Sequence, residues 1–267
     1  MIHSLVSQMK RLMLLILSML PNKFLEASLL QLNRSLGRGY ISSLDGEVEQ
    51  LSQFMDNLSA GNFVFLDIGA NIGDYTLNFK SYHSNIPVYS FEPSRNTFLI
   101  LEQRLTSISN ATALNFACGE IDGTTSLHSD KATSGLASLA KRDLDHMNIS
   151  FDLKEEVHIR RIDNWFKESN LFGKNLIIKI DVEGFELSVL NGAGRLIESS
   201  ILLVQFEYGG ANLDSRTYFK DFWLFFLKYD FVLWCLTPSG VKEIKHYSEN
   251  FESPINTTYF AVKRCNS

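Results

Sequence analysis

Apolar residues along the chain fall into two kinds of pattern, with the change near residue 60. Before it, Ile2, Leu5, Val6, Met9, Leu12, Met13, Ile16, Leu17 and Leu20 recur at three- and four-residue steps, the stripe of one helix face. After it come short continuous apolar runs that end in acidic residues: 63–68 (FVFLDI), 88–92 (VYSFE), a weaker 113–117 (ALNFA), 176–181 (LIIKID) and 201–207 (ILLVQFE). Continuous rather than alternating hydrophobicity predicts strands covered on both faces. Segments 74–82, 95–105 and 185–197 have helical period and length. Right-handed crossovers then give an α/β fold with a doubly wound, mostly parallel sheet. The tail differs, because 231–236, a turn at Pro238-Ser239-Gly240 and 257–263 have no crossover helix between them. They predict an antiparallel pair on the sheet edge, with 241–244 extending the hairpin and 247–254 as a loop. Residues 128–159, polar and with a Thr133-Ser134-Gly135 turn, fall where a lid over the carboxyl edge of the sheet belongs.

Composition narrows the picture. A length of 267 residues suits one large domain, residues 61–267, preceded by a helical extension over 1–60. The formal net charge of -5 gives no overall basic field, so a general nucleic-acid binder is excluded. Cys118, Cys235 and Cys265 are odd in number, widely spaced and without a C-x-x-C, so neither a disulfide framework nor a zinc site is expected. Reduced thiols and a cytoplasmic location fit that usage. Lys10 and Arg11 precede an apolar run, 12–20, that imitates a signal peptide. The run is far short of the ~20 residues of a membrane span, and no small-residue cleavage site follows it. A helix that packs on the domain or on a second copy as a homodimer is expected, with contact at a membrane surface as the alternative.

The strongest chemical signal is Asp67-Ile68-Gly69-Ala70-Asn71-Ile72-Gly73, which follows a buried strand and opens a helix. Its glycines sit where the chain turns and backbone can approach a ligand. The spacing is not G-x-G-x-x-G, and Asp67 at the mouth of the loop would repel a pyrophosphate. The same carboxylate suits a ligand with an ammonium and a sulfonium. Glu92 ends the second strand, where a carboxylate can accept both hydroxyls of a ribose. Together they favour S-adenosylmethionine over NAD, leaving an NAD-linked oxidoreductase and a non-catalytic binding protein as alternatives. Cys118, Gly119 and Glu120 mark the expected adenine end, walled by Phe116 and Ala117. Asp181, Glu183 and Glu186 crowd the end of the fourth strand, one alternation beyond Lys179, and Glu207 ends the fifth. Such carboxylates can supply a general base, hydrogen-bond an acceptor or hold a cation, while Glu186 also suits a helix cap. Asp163 is expected as an N-cap, His128 as a surface histidine, and 191–194 as a helix break without chemistry. The histidines show no metal-ligand spacing.

The order of these motifs resembles the FkbM family of S-adenosylmethionine-dependent methyltransferases. It is carried by FLDIGANIGDYTLNF, YSFEPSRNTFLILEQRL, NFACGEIDGTTSL, RRIDNWF, LIIKIDVEGFELSVLNGA and VQFEYGG, from Asn62 to Gly210. The resemblance implies the class I methyltransferase (Rossmann-like) fold, a seven-stranded sheet whose last strand is antiparallel. It places Asp67, Gly69, Asn71 and Gly73 at the methionine end of the cofactor and Glu92 at its ribose. Cys118 stands where a small aliphatic residue is more usual. The family is similar to enzymes that methylate hydroxyls on sugars or polyketide-type products. It implies O-methyl transfer to such an acceptor and sets Asp181 and its neighbours beside it, without fixing the catalytic base. From the residues themselves Asp181 is expected to orient or deprotonate the oxygen, with Glu183 and Glu207 as substrate contacts.

Overall fold

The computed structural model describes residues 2–39, 42–58 and 61–264; Cys265 and the side chains of Ile2 and Leu5 lie outside the described residues. The chain opens with three helices, α1 (Ile2–Ser18), α2 (Asn22–Ser35) and α3 (Leu44–Asp56). The first half of the α/β layer is β1 (Phe63–Ile68), α4 (Asp74–Tyr82), β2 (Val88–Phe91), α5 (Arg95–Leu105) and β3 (Ala111–Leu114). An insertion follows, β4 (Ala117–Cys118), β5 (Gly123–Ser129) and β6 (Leu153–Arg160). The second half runs α6 (Ile162–Glu168), β7 (Asn175–Ile180), α7 (Glu186–Gly192), α8 (Leu196–Ser199), β8 (Ile201–Tyr208), α9 (Gly210–Asp214) and α10 (Phe219–Lys228). It ends in β9 (Phe231–Thr237), β10 (Gly240–Ile244) and β11 (Thr257–Lys263).

Among the described residues the main sheet has eight strands in the order β10-β9-β11-β8-β7-β1-β2-β3. Strands β3, β2, β1, β7 and β8 are parallel, and β11 runs antiparallel to both β8 and β9. This is the doubly wound, Rossmann-like architecture expected. The order reverses at β1, so a crevice opens beyond the carboxyl ends of β1, β2 and β7.

Three readings need correction. The third strand lies at 111–114, not 113–117. Asn115 donates from Nδ2 to the carbonyls of Glu92 and Pro93 (both 2.9 Å), which turns the chain, and Ala117–Cys118 pairs with β6 in a second sheet ordered β4-β6-β5. Residues 128–159 are not all loop, because β5 and β6 form an antiparallel pair and only 130–152 connect them. The helical segment 185–197 divides into α7 and α8 at Gly194, whose φ is 53°, within the break expected over 191–194. The sheet has eight strands rather than the seven expected: the antiparallel pair β9 and β11 stands on the β8 edge of the parallel strands as expected, and β10 adds one further strand outside β9.

Alternation along the strands divides the sheet into two faces. Leu66, Ile178, Val204 and Phe206 face α6, α7 and α10 and share a core with Trp165, Val189, Phe222 and Phe226. Phe65, Ile177, Leu203 and Phe260 face the other way, onto Val48, Leu51 and Met55 of α3 and Phe79 of α4. The rings of Phe65 and Phe79 stack at 4.0 Å. Helix α3 thus covers one face of the sheet, its start capped by Ser43, whose Oγ accepts from Gly46 N (3.1 Å). Most side chains of α1 and α2 stand exposed.

Candidate functional site

The loop 69–73 passes the chain from β1 into α4 at the point where the strand order reverses. Gly69 and Ala70 donate their N–H groups to Phe91 O (3.0 and 2.9 Å). Gly69 has φ 79°, and a Cβ there would lie 1.9 Å from Asp181 O, so both its conformation and its contact require glycine. Asn71, at φ 47°, donates its N–H to Glu92 Oε2 (3.1 Å), and Ser94 N donates to Oε1 (2.8 Å). Each carboxylate oxygen of Glu92 therefore keeps acceptor capacity for a further donor. Burial pushes the Glu92 carboxyl up to about 7 against the pull of those two backbone donors.

A cleft opens beside this carboxylate. Its lining includes Gly69, Asn71, Glu92, Cys118, Asp181 and Glu183, with Phe91, Phe116 and Leu127 as apolar walls. Ser134, Gly135, Ala137 and Leu139 of the insertion close over it. Burial raises the Cys118 thiol, so this residue contributes shape rather than a thiolate. Asp67 and Gly73 do not line the cleft. Gly73 instead N-caps α4 at φ 90°, and His128 lies outside the cleft wall that its neighbour Leu127 forms.

Asp67 belongs to a polar row buried beneath α3 and α4. Asp67, Lys179 and Gln205 stand in register on β1, β7 and β8. Thr76 Oγ1 donates to Asp67 Oδ2 (2.6 Å), while Asp67 Oδ1 has no hydrogen-bond partner and faces Lys179 Nζ at 3.5 Å. Lys179 Nζ is also 3.3 Å from Asp181 Oδ2 and 5.3 Å from the ring centre of Tyr75. Burial works against the charge of Lys179, but the carboxylates of Asp181 and Asp67 outweigh it and hold the ammonium above its ordinary value. Tyr75 Oη donates to Gln205 Oε1 (2.5 Å), and Gln205 Nε2 donates to Glu47 Oε2 (2.9 Å). Burial raises the Glu47 carboxyl.

Asp181 lies one alternation beyond Lys179, just past the end of β7. It lines both the cleft and a small adjoining cavity of about 10 Å³, shared with Glu183, Glu186, Glu207, Asn212 and Asn256. Asn256 Nδ2 donates to Glu207 Oε2 (3.2 Å). Burial, then Asp181 and Glu47, push Glu207 up to about 8. Glu183, at φ 53°, receives Arg142 Nη1 of the insertion at 2.8 Å, and Arg142 Nε reaches Asp214 at 2.9 Å. Burial and Asp181 raise Glu183 to about 7 although the arginine opposes them. Glu186 faces its own loop: Oε1 accepts from Val182 N (3.2 Å) and Gly184 N (3.1 Å), and Oε2 from Asn212 Nδ2 (2.8 Å). It sits in the first turn of α7 as a loop organiser. Asp163 is not an N-cap, since Arg161 holds that position and Asp163 takes its guanidinium bidentately at 2.9 Å.

The structure thus gathers Gly69, Asn71, Glu92, Cys118, Asp181 and Glu183 around one cleft and Glu207 beside it, with Asp67 and Gly73 behind the loop. Arg142, Asn212, Asn256, Tyr75, Gln205 and Glu47 are additions that sequence reasoning missed. Only Gln205 left a trace, as a polar residue inside the apolar run ILLVQFE.

The donor set fits S-adenosylmethionine. Glu92 offers acceptor oxygens to a pair of hydroxyls, Phe91, Phe116 and Leu127 offer flat apolar walls, and the Gly69 cradle beside Asp181 offers backbone approach and negative charge. A family model described as the methyltransferase FkbM domain matches residues 67–233. Methyltransferase 1 of Beauveria bassiana (strain ARSEF 2860) is 27% identical over 141 residues, covering 48% of this chain and 57% of that protein, so the match spans little over half the relative's length. Similar solved structures include SMU.1697c of Streptococcus mutans in complex with SAH, at 12% identity, TM-score 0.40, and coverage of 84% and 99% of the two chains. The SAM-dependent O-methyltransferase TM0748 of Thermotoga maritima is similar at 13% identity and TM-score 0.38, covering 85% and 73%. With the matched segment running from Asp67 at the end of β1 to Leu233 in β9, this chain belongs to the FkbM family of S-adenosylmethionine-dependent methyltransferases.

Proposed function

We propose that this chain transfers a methyl group from S-adenosylmethionine to a hydroxyl of a sugar, glycan or related natural product. The observation that carries the reading is the place of Asp181, on the wall shared by the cofactor cleft and the small cavity of Glu207, Glu183 and Asn256. Carboxylates and carboxamides grouped in this way suit a polyhydroxyl acceptor, whose hydroxyls donate to the former and pair with the latter. When bound, the cofactor supplies an electrophilic methyl on a sulfonium. Glu92 accepts from the ribose hydroxyls, and the Gly69 and Asn71 loop supports the methionine end. Asp67 acts from behind the loop, with its charge balanced by Lys179.

Asp181 orients the acceptor oxygen and takes its proton. The Lys179 ammonium at 3.3 Å fixes the carboxylate in place, so positioning supplies much of the rate. Glu207, pushed up to about 8, keeps its proton at neutral pH and can donate to an acceptor oxygen. A cytoplasmic setting suits the buried free thiols of Cys118 and Cys235. Incubation with methyl-labelled cofactor and a panel of saccharides and hydroxylated natural products tests the acceptor class. Asp181→Asn is expected to lower kcat by about 10²–10⁴-fold while leaving the cofactor Kd nearly unchanged. Full turnover by that variant removes the base assignment, and label found only on amines or thiols removes the hydroxyl reading.

A further inference from the structure

Among the described residues, helices α1 and α2 carry apolar stripes that the rest of the fold leaves exposed. On α1, Met9, Leu12, Met13, Ile16 and the following Met19 are 55–82% exposed and follow one helical face. On α2, Leu29 and Leu32 continue into Leu36 at steps of three and four, and all are exposed. Charge is segregated in the same place. Residues 1–38 hold Lys10, Arg11, Lys23, Arg34 and Arg38 against Glu26 alone, whereas the remaining chain holds 20 Lys and Arg against 29 Asp and Glu. The pair of helices is therefore an apolar and cationic element on an acidic body. A symmetric contact between two such elements would oppose like charges, whereas an anionic lipid surface complements both properties. Among the described residues no helix is long and apolar enough to cross a membrane, so the fitting arrangement is parallel to the surface.

The attachment of these helices to the domain gives the arrangement a direction. Gly37, at φ 88°, packs where a Cβ would lie 2.2 Å from Leu236 O. Gly39 N donates to Asn256 O (2.9 Å), and the side chain of Asn256 holds Glu207. The end of β9 and the start of β11 both lie at the carboxyl edge of the sheet, beside the acidic cavity. We infer that α1 and α2 seat the protein peripherally on an anionic lipid bilayer, with the edge that bears the acidic cavity next to the surface.

Co-sedimentation of the full chain with vesicles of phosphatidylcholine alone, or with about 30% phosphatidylglycerol, tests this. Binding to the anionic vesicles is expected to exceed binding to the neutral ones by more than about tenfold and to weaken in high salt. The combined Lys10→Gln, Arg11→Gln and Lys23→Gln variant should lose more than about tenfold, and Leu12→Glu with Ile16→Glu should abolish binding. Calorimetric binding of S-adenosylmethionine, unchanged in each variant, shows that the domain is folded and separates this inference from the cofactor reading. Equal binding to both vesicles, no binding to either, or a dimer in light scattering that Leu12→Glu with Ile16→Glu converts to monomer overturns it. In the last case a second copy is the true cover.

Discussion

On one face of β1, β7 and β8, Ile68, Ile180 and Phe206 carry an apolar layer to the strand ends. On the other, Asp67, Lys179 and Gln205 interrupt the layer one residue earlier, although they are buried to a similar degree. The strands, their twist and their burial are shared, so folding alone does not demand the polar row. Burying an ammonium and carboxylates costs more than packing hydrocarbon of the same volume. What the row adds is linkage. Lys179 joins Asp67, under the cofactor loop, to Asp181 in the cleft, and Gln205 joins Tyr75 of α4 to Glu47 of α3.

The largest effect is expected from removing the charge at the centre of that row. Lys179→Met leaves Asp67 buried with no counter-charge and should cost about 3–5 kcal/mol in urea unfolding. A volume-conserving change on the apolar face, Ile180→Leu, should cost less than about 1.5 kcal/mol. Similar costs for the two would erase the distinction between the faces. Next comes Glu92, for which Glu92→Ala should weaken cofactor binding about 10–100-fold, measured by calorimetry. Because this carboxyl titrates near 7, its accepting, ionised form grows as pH rises, so wild-type affinity should increase from about pH 6 to about pH 8. That dependence should vanish in Glu92→Ala. The smallest effect is Tyr75→Phe, which removes one hydrogen bond to Gln205 and should cost about 0.5–1.5 kcal/mol. A larger loss would mean that the α3–α4 end of the row matters as much as its centre.

The parallel strands were legible because burial on both faces writes itself as unbroken apolar runs, and the glycine loop because backbone at a strand-to-helix turn must adopt positive φ. The third strand was misplaced because Phe116 and Ala117 are apolar for a different reason, lining the cleft after Asn115 turns the chain away. Asp67 and Asp181 look alike in sequence, each an acid at a strand end. Their positions differ because Asp67 is still inside β1 and points beneath α4, whereas Asp181 lies one residue past β7 and reaches the cleft. Arg142 and Asn256 could not be read at all. Each meets its carboxylate across a long chain separation, 41 residues to Glu183 and 49 to Glu207, and no local spacing records such a contact. The role of α3 was likewise hidden, since the spacing of Val48, Leu51 and Met55 does not record which face of the sheet they cover.

The contact between Gly69 and the carbonyl of Asp181 leaves no room for even one added carbon. The loop after β1 and the end of β7 are therefore locked at a fixed spacing, and on the proposed function a change of acceptor is expected to be accommodated elsewhere. The 130–152 connection and the loops after β8 are free of that lock. For engineering, a modular site is expected on the proposed function: exchange of the segment that carries Arg142 should alter the acceptor, while the spacing between Gly69 and Asp181 is inherited unchanged.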